Sequence, residues 1–339
     1  MAIFWNIFIK TNAFFLSIIT IIILVSLFLN FIDNKNSKYS LILGDENSSN
    51  VIVLIELNGI IIEKQREFAN LTNQFLISPS DIKIHLDSLK DISPKIIIFS
   101  INSPGGTVSA SKSFYDIIKD YKKNNNTEIF FHTNELLASG GYWAATSADG
   151  IYASYGSIIG SIGVKGPDWF FYDHPKSIST GIFGNTIETK NGIKIFSNKS
   201  GKSKDIFNPF RKPTIEELDH LQNMVDQIYY DFTRIVSKER KIEINTIINE
   251  IGALIYTSNS ASKLHLIDDE ININDLIDQI IKKREFNNYK VVKIIRSKNS
   301  ILKEFLLGGF DKNDNNIKYA CISLKASIAA ILSYETTGC

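Results

Sequence analysis

The fold of this chain is decided by residues 95–106, KIIIFSINSPGG, in which an apolar run ends in a glycine-rich turn. The run is rich in β-branched residues and almost free of polar ones, which predicts a strand buried on both faces. Strands of this kind belong to parallel sheets that are covered by helices on both sides. The turn closes the strand, and a helix is predicted over 108–122.

The same alternation continues on either side of this stretch. Apolar runs predict strands at 51–57, 128–132 and 151–153, and helices are predicted at 80–92 and 138–148. Strands and helices that alternate at these lengths predict an α/β fold with a parallel sheet. Ligands bind such sheets at the carboxyl ends of the strands. Both glycine-rich turns, 104–106 and 139–141, are expected at that edge.

The N-terminal segment has a different character. Residues 13–32, AFFLSIITIIILVSLFLNFI, contain no charge and are long enough for a helix to cross a bilayer. No small-residue cleavage site follows, so an uncleaved anchor is predicted. The predicted organisation is an N-terminal tail (1–12), a transmembrane anchor (13–32), a polar linker (33–50), a globular domain (51–285) and a C-terminal extension of unclear role (286–339). The flanking lysines do not decide the orientation.

Composition excludes several classes of protein. The 339 residues carry 37 basic and 36 acidic side chains, and 44% of them are hydrophobic. This balance argues against disorder and gives no indication of a nucleic-acid partner. The two cysteines, Cys321 and Cys339, form no metal-binding motif. The sequence therefore predicts neither a metal ion nor a cofactor.

Two features could support acyl-transfer chemistry. Gly105 and Gly106 leave backbone N–H groups uncovered, as an oxyanion hole requires, although such a pair is also common in ordinary turns. Ser139 lies at a predicted strand-to-helix junction, where it could be a nucleophile or simply a helix N-cap. A nucleophilic serine needs a base, and no Ser-His-Asp arrangement is visible in the sequence. The histidines available for that role are His85, His132, His174, His220 and His265.

The order of four short motifs resembles a known family. INSPGG at 101–106, ASGGY at 138–142 and GSIGV at 160–164 look like three successive signatures of the signal peptide peptidase A family (serine peptidase family S49). SGKSKD at 200–205 is similar to the family segment that carries a catalytic lysine. The resemblance covers residues 51–285. It implies a ClpP/crotonase-like fold of repeated β-β-α units with a parallel sheet, preceded by one transmembrane helix.

The resemblance also implies roles for individual residues. Ser139 would be the nucleophile and Lys204 the general base, with Ser161 orienting the lysine. The oxyanion hole would use the backbone N–H groups of Gly106 and Ser139, with Gly105 as a further candidate. An ordinary lysine has a pKa near 10.4, so burial would have to lower it by about 3–5 units for the amine to act as a base. A solvated loop lysine is the alternative for Lys204, and Lys202 is the second candidate for the base.

The implied function is that of a membrane-anchored serine endopeptidase. It would hydrolyse apolar peptides such as remnant signal peptides through an acyl-enzyme, as a homo-oligomer in the bacterial cytoplasmic membrane with its catalytic domain on the extracytoplasmic side. One alternative is a catalytically inactive membrane scaffold of the same fold. Another is acyl-CoA chemistry on a crotonase fold, which the anchor and the serine and lysine segments disfavour. His265 stands where the family has a glycine, at a position that often needs a positive φ.

Overall fold

The computed structural model describes residues 2–33, 39–63, 76–172, 177–178, 187–188 and 198–294. The strands are β1 (Tyr39–Gly44), β2 (Val51–Asn58), β3 (Ile60–Ile61), β4 (Leu76–Ile77), β5 (Ile96–Asn102), β6 (Glu128–Thr133), β7 (Leu136–Ala138), β8 (Gly150–Ala153), β9 (Ile158–Gly160), β10 (Ser177–Ile178), β11 (Ile187–Glu188), β12 (Ile255–Thr257), β13 (Asp269–Glu270) and β14 (Lys290–Ile294). The helices are α1 (Ala2–Asp33), α2 (Pro79–Ser88), α3 (Val108–Asn124), α4 (Gly140–Ala145), α5 (Ile215–Arg240), α6 (Ile244–Thr246), α7 (Ser258–Lys263) and α8 (Ile273–Lys283). A 3-10 turn, Leu89–Asp91, continues α2, and a π-helical turn, Ile247–Ile251, continues α6.

The main sheet has seven described strands in the order β1-β14-β2-β5-β6-β8-β13. Every neighbouring pair is parallel except β1 with β14. The predicted α/β class with a parallel sheet is therefore confirmed. The strands predicted at 51–57, 95–101, 128–132 and 151–153 correspond to β2, β5, β6 and β8, each within one residue at either end.

Both faces of the central strands are buried, as the apolar runs predict. Alternate residues of β5 face opposite ways, since Ile97 and Phe99 join one core cluster and Ile96 and Ile98 join the other. The first cluster is closed by α2 and α3, and the second by α8, whose Leu276 is fully buried. Because helices pack on both faces of the sheet, the carboxyl ends of β5 and β6 are held in place.

A second, smaller sheet lies across those ends, with the order β12-β9-β7. β7 follows β6 after two residues, and α4 follows β7, so residues 128–145 form one β-β-α unit. β8 and β9 repeat the pairing of a long strand in the main sheet with a short strand in the second sheet. These short strands escape sequence prediction because three residues are too few to show a period.

Two domain boundaries differ from the prediction. β1 lies within the supposed linker (33–50), and β14 lies within the supposed C-terminal extension (286–339). β14 is inserted between β1 and β2 in the main sheet, with Val291 fully buried. The globular domain thus includes both segments, from Tyr39 to Ile294. The pairing joins chain segments about 250 residues apart, which no local pattern reveals.

The N-terminal helix α1 begins at Ala2, so residues predicted as a separate tail (1–12) are already helical from that point. Within it, Phe8–Val25 has a mean hydropathy of 2.2, and none of this window is buried in the described chain. By length and composition this is one helix able to cross a membrane. The predicted anchor (13–32) overlaps this window and extends beyond it.

Two helix ends have well-defined local geometry. At the start of α5, the Glu217 N–H donates to Thr214 Oγ1 (3.2 Å), and the Thr214 N–H donates to Glu217 Oε2 (2.9 Å), which completes a capping box. After α7, His265 has φ 59°, and the Leu266 N–H donates to the Ala261 carbonyl at 2.8 Å. The positive φ predicted for His265 is confirmed.

The aromatic cluster in the first core predicts that removal of the Phe99 ring strongly destabilises the fold. Phe99 is fully buried, and its ring centroid lies 5.0 Å from that of Phe131 and 5.9 Å from that of Phe114. We expect Phe99→Ala to lower the free energy of unfolding by about 3–5 kcal/mol, because it leaves a cavity that these rings cannot fill. Denaturant titration of the full-length chain in detergent measures this. The control is Ile84→Ala at a half-exposed position of α2, which should change stability by less than about 1 kcal/mol.

Candidate active site

The site is built where two short parallel strands end side by side. In the β7–β9 pair, Ala138 is in register with Gly160. The residues that follow, Ser139 and Ser161, therefore emerge at the same edge. The Ser139 N–H continues the ladder by donating to the Gly160 carbonyl oxygen at 2.9 Å. Both serines, 22 positions apart in the sequence, line one cleft.

A third segment joins them from the end of β5. Ser103 bridges Leu137 in parallel: its N–H donates to the Leu136 carbonyl (2.7 Å), and its own carbonyl accepts from the Ala138 N–H (3.0 Å). This pairing places the glycine turn 104–106 against the loop of Ser139. The three sequence signatures are thereby brought together, each at the carboxyl end of a strand.

These segments enclose a cleft of about 570 Å³. Its polar lining includes Ser111, Ser139, Ser161 and Lys165. Much of the remaining wall is apolar and comes from Pro104, Val108, Trp143, Val164, Pro167, Phe232 and Ala253. Trp143 stacks on Phe232 of α5 with ring centroids 4.5 Å apart and planes 9° from parallel, which ties the wall to the long helix.

Ser139 has an unusual backbone conformation. Its φ of 51° and ψ of −124° are rarely adopted by a residue with a side chain, and such strain costs about 1–3 kcal/mol. It precedes α4 as the N-cap residue, but its side chain makes no capping hydrogen bond. The half-buried hydroxyl is thus held at a sharp strand-to-helix turn without a partner among the described residues. This is the arrangement expected of an exposed nucleophile.

Glycine is required at three positions around Ser139. A Cβ on Gly105, whose φ is +106°, would lie 2.8 Å from Ser139 Cβ. A Cβ on Gly106 would lie 1.8 Å from the Ile61 carbonyl oxygen, and one on Gly140 would lie 2.0 Å from Ser111 Oγ. The chain segments therefore approach one another at backbone distance. The Gly105 N–H, a further oxyanion candidate from the sequence, donates to Ser103 Oγ at 3.2 Å and is not free.

The backbone N–H groups that are free in the structure differ from the oxyanion donors that were predicted from the sequence. The Ser139 N–H, assigned to the oxyanion hole from the sequence, is already used by Gly160. The N–H groups of Gly106 and Gly140 donate no hydrogen bond within the described chain. The two groups are close, since the Cβ position of Gly140 lies 3.2 Å from Gly106 N. Gly106 keeps its predicted place in the cleft, and Gly140 has a free N–H group that the sequence reasoning did not consider.

The predicted base does not share the cleft with Ser139. Lys204 is exposed and is not among the residues that line it. Lys202, the second candidate, pairs with Glu216 at 2.5 Å on the surface. The lysine that does line the cleft is Lys165, whose Nζ lies 3.1 Å from Asp168 Oδ2. Within a single chain the structure brings Ser139 and Ser161 together but leaves Lys204 outside.

The turn that carries Lys204 is nevertheless firmly held. Asp205 receives hydrogen bonds from Arg211 Nε (3.0 Å) and Nη2 (3.1 Å), and Lys199 Nζ lies 2.6 Å from its carboxylate. Arg211 also donates to both carboxylate oxygens of Glu217, at 2.8 and 2.7 Å. Arg211, with a contribution from Lys199, lowers the pKa of Asp205 to about 2, and Arg211 holds the pKa of Glu217 well below its usual value. Both carboxylates therefore remain charged in mildly acidic solution.

The same turn is tied to the segment that leaves the cleft. Trp169 Nε1 donates to the Asn208 carbonyl (3.2 Å), and the Tyr172 N–H donates to the Pro209 carbonyl (2.8 Å). The guanidinium of Arg211 lies over the Trp169 ring at 5.0 Å. Pro167 is the last residue of this segment that lines the cleft, so these contacts tie the Lys204 turn to chain that lies two to five residues beyond the lining.

The match to known proteins agrees with this arrangement. Residues 122–287 match the model of peptidase family S49, a region that includes both Ser139 and Lys204. This region of the chain is therefore similar to peptidase family S49. A Methanocaldococcus jannaschii protein named as a protease is 32% identical to this chain over 209 residues, which are 61% of this chain and 62% of the relative. A protein of Enterococcus faecium named as a signal peptide peptidase A is 27% identical, covering 74% of this chain and 68% of the relative.

The match spans less than two thirds of the M. jannaschii relative's length. The match to protease 4 of Haemophilus influenzae, which is 25% identical to this chain over 242 residues, covers 36% of that protein. Solved structures with a related arrangement include a mutant of the 1510-N membrane-bound stomatin-specific protease, at 14% identity and a TM-score of 0.45, over 74% of this chain and all of that one. A mutant of ClpP1 from Listeria monocytogenes has a TM-score of 0.40 at 14% identity, over 66% of this chain and 92% of that one.

Histidine is not part of this site within the described chain. None of the described residues lining the cleft is a histidine. His132 is fully buried at the end of β6, where Nε2 lies 2.9 Å from the Ile271 carbonyl, and desolvation lowers its pKa. His174 lies outside the described residues. Among the described residues no cluster of three metal-binding side chains occurs.

The close approach at Gly106 predicts that a methyl group there is not tolerated. We expect Gly106→Ala to lower the free energy of unfolding by more than about 3 kcal/mol, because three backbone atoms of Ile61 lie within 2.7 Å of the new Cβ. Gly156→Ala is the control, since Gly156 has a positive φ but open space around it. Backbone strain alone should cost about 1–2 kcal/mol there. Equal losses in the two variants, measured by denaturant titration, would show that the steric overlap is absent.

The Arg211 network predicts a local effect of a charge-conserving change. Arg211→Lys keeps the positive charge but cannot donate to Asp205 and Glu217 at the same time in the same way. We expect amide hydrogen exchange across residues 201–210 to speed up by about 10-fold, while the amides of β5 and β6 are unchanged. Arg234→Lys is the matched control, because Arg234 is exposed and forms a single 3.5 Å pair with Asp231. Unchanged exchange in Arg211→Lys would mean that the network does not hold the turn.

Proposed function

We propose that this chain is a membrane-anchored serine endopeptidase in which Ser139 is the nucleophile and Lys204 the general base. The observation that carries the proposal is the position of Ser139. Its strained backbone presents a hydroxyl without a partner among the described residues, beside the N–H groups of Gly106 and Gly140 that are free within the same residues, in a cleft shared with Ser161. The family match supplies the reaction class for that geometry.

The proposed chemistry proceeds through an acyl-enzyme. Ser139 Oγ attacks the carbonyl carbon of the peptide bond, its proton passes to the amine of Lys204, and the carbonyl π electrons move to oxygen. The tetrahedral intermediate collapses as the C–N bond breaks and the leaving amine takes the proton from Lys204. A water molecule then attacks the ester carbonyl and gives a proton to the Lys204 amine. The second tetrahedral intermediate collapses as the C–O bond to Ser139 breaks and Lys204 returns that proton to Ser139 Oγ, which releases the acid and restores the hydroxyl and the neutral amine. No cofactor is needed for any of these steps.

We assign the oxyanion to the N–H groups of Gly106 and Gly140. Both are free within the described chain, and both lie next to the Ser139 side chain, so they can receive negative charge as it develops. Ser139 N–H, by contrast, holds the register of β7 and β9 through Gly160. Releasing that hydrogen bond during catalysis would disturb the strand pairing that positions the nucleophile.

The exposure of Lys204 means that one chain alone does not provide the burial that a lysine base needs. A lysine becomes an effective base near neutral pH only when burial lowers its pKa. In one chain the turn is rigidly held but faces water, so a further surface has to cover it. We propose that this surface is a neighbouring copy of the chain, whose cleft receives Lys204. Ser161 in that cleft would then accept a hydrogen bond from the amine. Homo-oligomerisation is thus part of the proposal.

The substrate class follows from the wall of the cleft and from α1. The wall is largely apolar, with the stacked pair Trp143 and Phe232 and with Val108 and Val164, which suits an extended apolar peptide. A helix able to cross a membrane holds such a domain near the bilayer, where remnant signal peptides are released. We place the chain in the bacterial cytoplasmic membrane, with residues 39–294 on the extracytoplasmic side.

The assignment of nucleophile and base predicts the behaviour of four variants. Ser139→Ala and Lys204→Ala should each lower kcat for an apolar fluorogenic peptide by about 10⁴-fold or more, because each removes a group that acts in bond breaking. Lys165→Ala and Lys202→Ala should keep kcat within about threefold, since neither amine is assigned a role. The four are assayed as full-length proteins in detergent, with a fluorophosphonate probe reporting on Ser139.

The outcomes separate the alternatives. Full activity in Lys204→Ala together with loss in Lys165→Ala would transfer the base to Lys165. Failure of the probe to label the wild-type protein, with no peptide cleavage, would favour the inactive scaffold. Co-assembling Ser139→Ala with Lys204→Ala subunits should restore part of the activity if each site takes its lysine from a neighbour. No recovery in co-purified mixed oligomers would place both groups in one chain.

A further inference from the structure

Ser111 is a buried serine next to the proposed oxyanion hole, and neither the sequence motifs nor the chemistry above gives it a role. It lies in the first turns of α3, and its N–H donates to the Thr107 carbonyl at 3.0 Å as part of the helix. Its side chain belongs to the cleft lining, although the residue has no exposed surface. A serine at such a position in a helix normally turns its hydroxyl to a carbonyl of the preceding turn or to solvent.

The Ser111 hydroxyl does neither. Its Oγ is buried and has no hydrogen-bond partner within the described chain. Buried hydroxyls are almost always paired, because an unpaired one loses its bonds to water without compensation. A hydroxyl at the wall of a cleft that no described protein group satisfies is available to pair with a molecule that occupies the cleft.

The position of the hydroxyl identifies that partner. Ser111 Oγ lies 2.0 Å from the point where a Cβ of Gly140 would be, and the Gly106 nitrogen lies 3.2 Å from the same point. The hydroxyl is thus next to both backbone N–H groups assigned to the oxyanion. Gly140 also has no side chain to separate Ser111 from them. A group that accepts hydrogen bonds from Gly106 and Gly140 is brought to the side of the Ser111 hydroxyl.

We propose that Ser111 Oγ–H is a third hydrogen-bond donor to the oxyanion, a role that rests on the proposed peptidase function. In the free protein no group of the described chain pairs with this hydroxyl. When Ser139 attacks the peptide carbonyl, the oxygen gains negative charge, and Ser111 donates to it beside the two N–H groups. The interaction strengthens as charge develops, so it favours the transition state over the bound substrate.

The test compares Ser111→Ala with wild type in the full-length protein in detergent. We expect kcat to fall by about 10- to 100-fold with KM nearly unchanged, less than for loss of a sole donor because two N–H groups remain. Inhibition by a peptide aldehyde, which forms a tetrahedral adduct with Ser139, should weaken by a similar factor. The melting temperature should stay the same or rise, because the change removes an unpaired buried hydroxyl rather than a contact.

Two further variants make the test specific. Ser111→Cys keeps the shape with a weaker donor and should give an intermediate kcat. Ser109→Ala, at an exposed position of the same helix turn, should leave kcat and aldehyde inhibition unchanged. The kcat of each variant is compared with that of the wild-type protein. If the wild-type protein neither cleaves the peptide nor is labelled at Ser139, the proposed peptidase function itself is wrong.

Other results would overturn the role of Ser111 while leaving the peptidase intact. One is wild-type kcat and aldehyde inhibition in Ser111→Ala. Another is a fall in activity matched by a melting temperature several degrees lower, which would show that the hydroxyl supports packing. A rise in KM with unchanged kcat would place Ser111 in substrate binding instead.

Discussion

The parallel register between β7 and β9 is the constraint on which the site depends. It sets Ala138 opposite Gly160, so that Ser139 and Ser161 leave the two strands at the same point. The Ser103 bridge adds the end of β5 to the same line. A slip of one residue in any of these pairings would turn the emerging side chains to the other face. The long strands of the main sheet, buried on both faces, hold the short ones against such a slip.

Close approach of the backbone is the second condition. Three segments can meet around one hydroxyl only because Gly105, Gly106 and Gly140 carry no side chains at the contact. The strained conformation of Ser139 belongs to the same arrangement, since the surrounding hydrogen bonds leave the residue no relaxed alternative. The uncovered N–H groups are thus a consequence of the packing, and so is the isolation of the Ser111 hydroxyl.

The two halves of the proposed dyad are held in different ways. Ser139 is fixed by strand pairing and a buried core, whereas the Lys204 turn is fixed by ion pairs among Asp205, Arg211 and Glu217 and by the Trp169 contacts. An ion-paired turn at the surface can be rigid and still present a neighbouring lysine to solvent. This separation fits a base that becomes effective only on assembly, because the covering surface supplies the burial that one chain lacks.

Local sequence determined the α/β class, the strands 51–57, 95–101 and 128–132 and the capping box at Thr214. These rest on apolar runs, glycine turns and side-chain spacing, which act over a few residues, whereas the choice of Ser139 rested on the order of the family-like motifs. The tertiary structure decided the rest: β14 between β1 and β2, the use of the Ser139 N–H by Gly160 while that of Gly140 stays free within the described chain, and the exposure of Lys204. Each depends on which distant segments pair and where their free hydrogen-bonding groups then point. That information exists only once the chain has folded, because strand pairing across 250 residues leaves no periodic trace in the sequence.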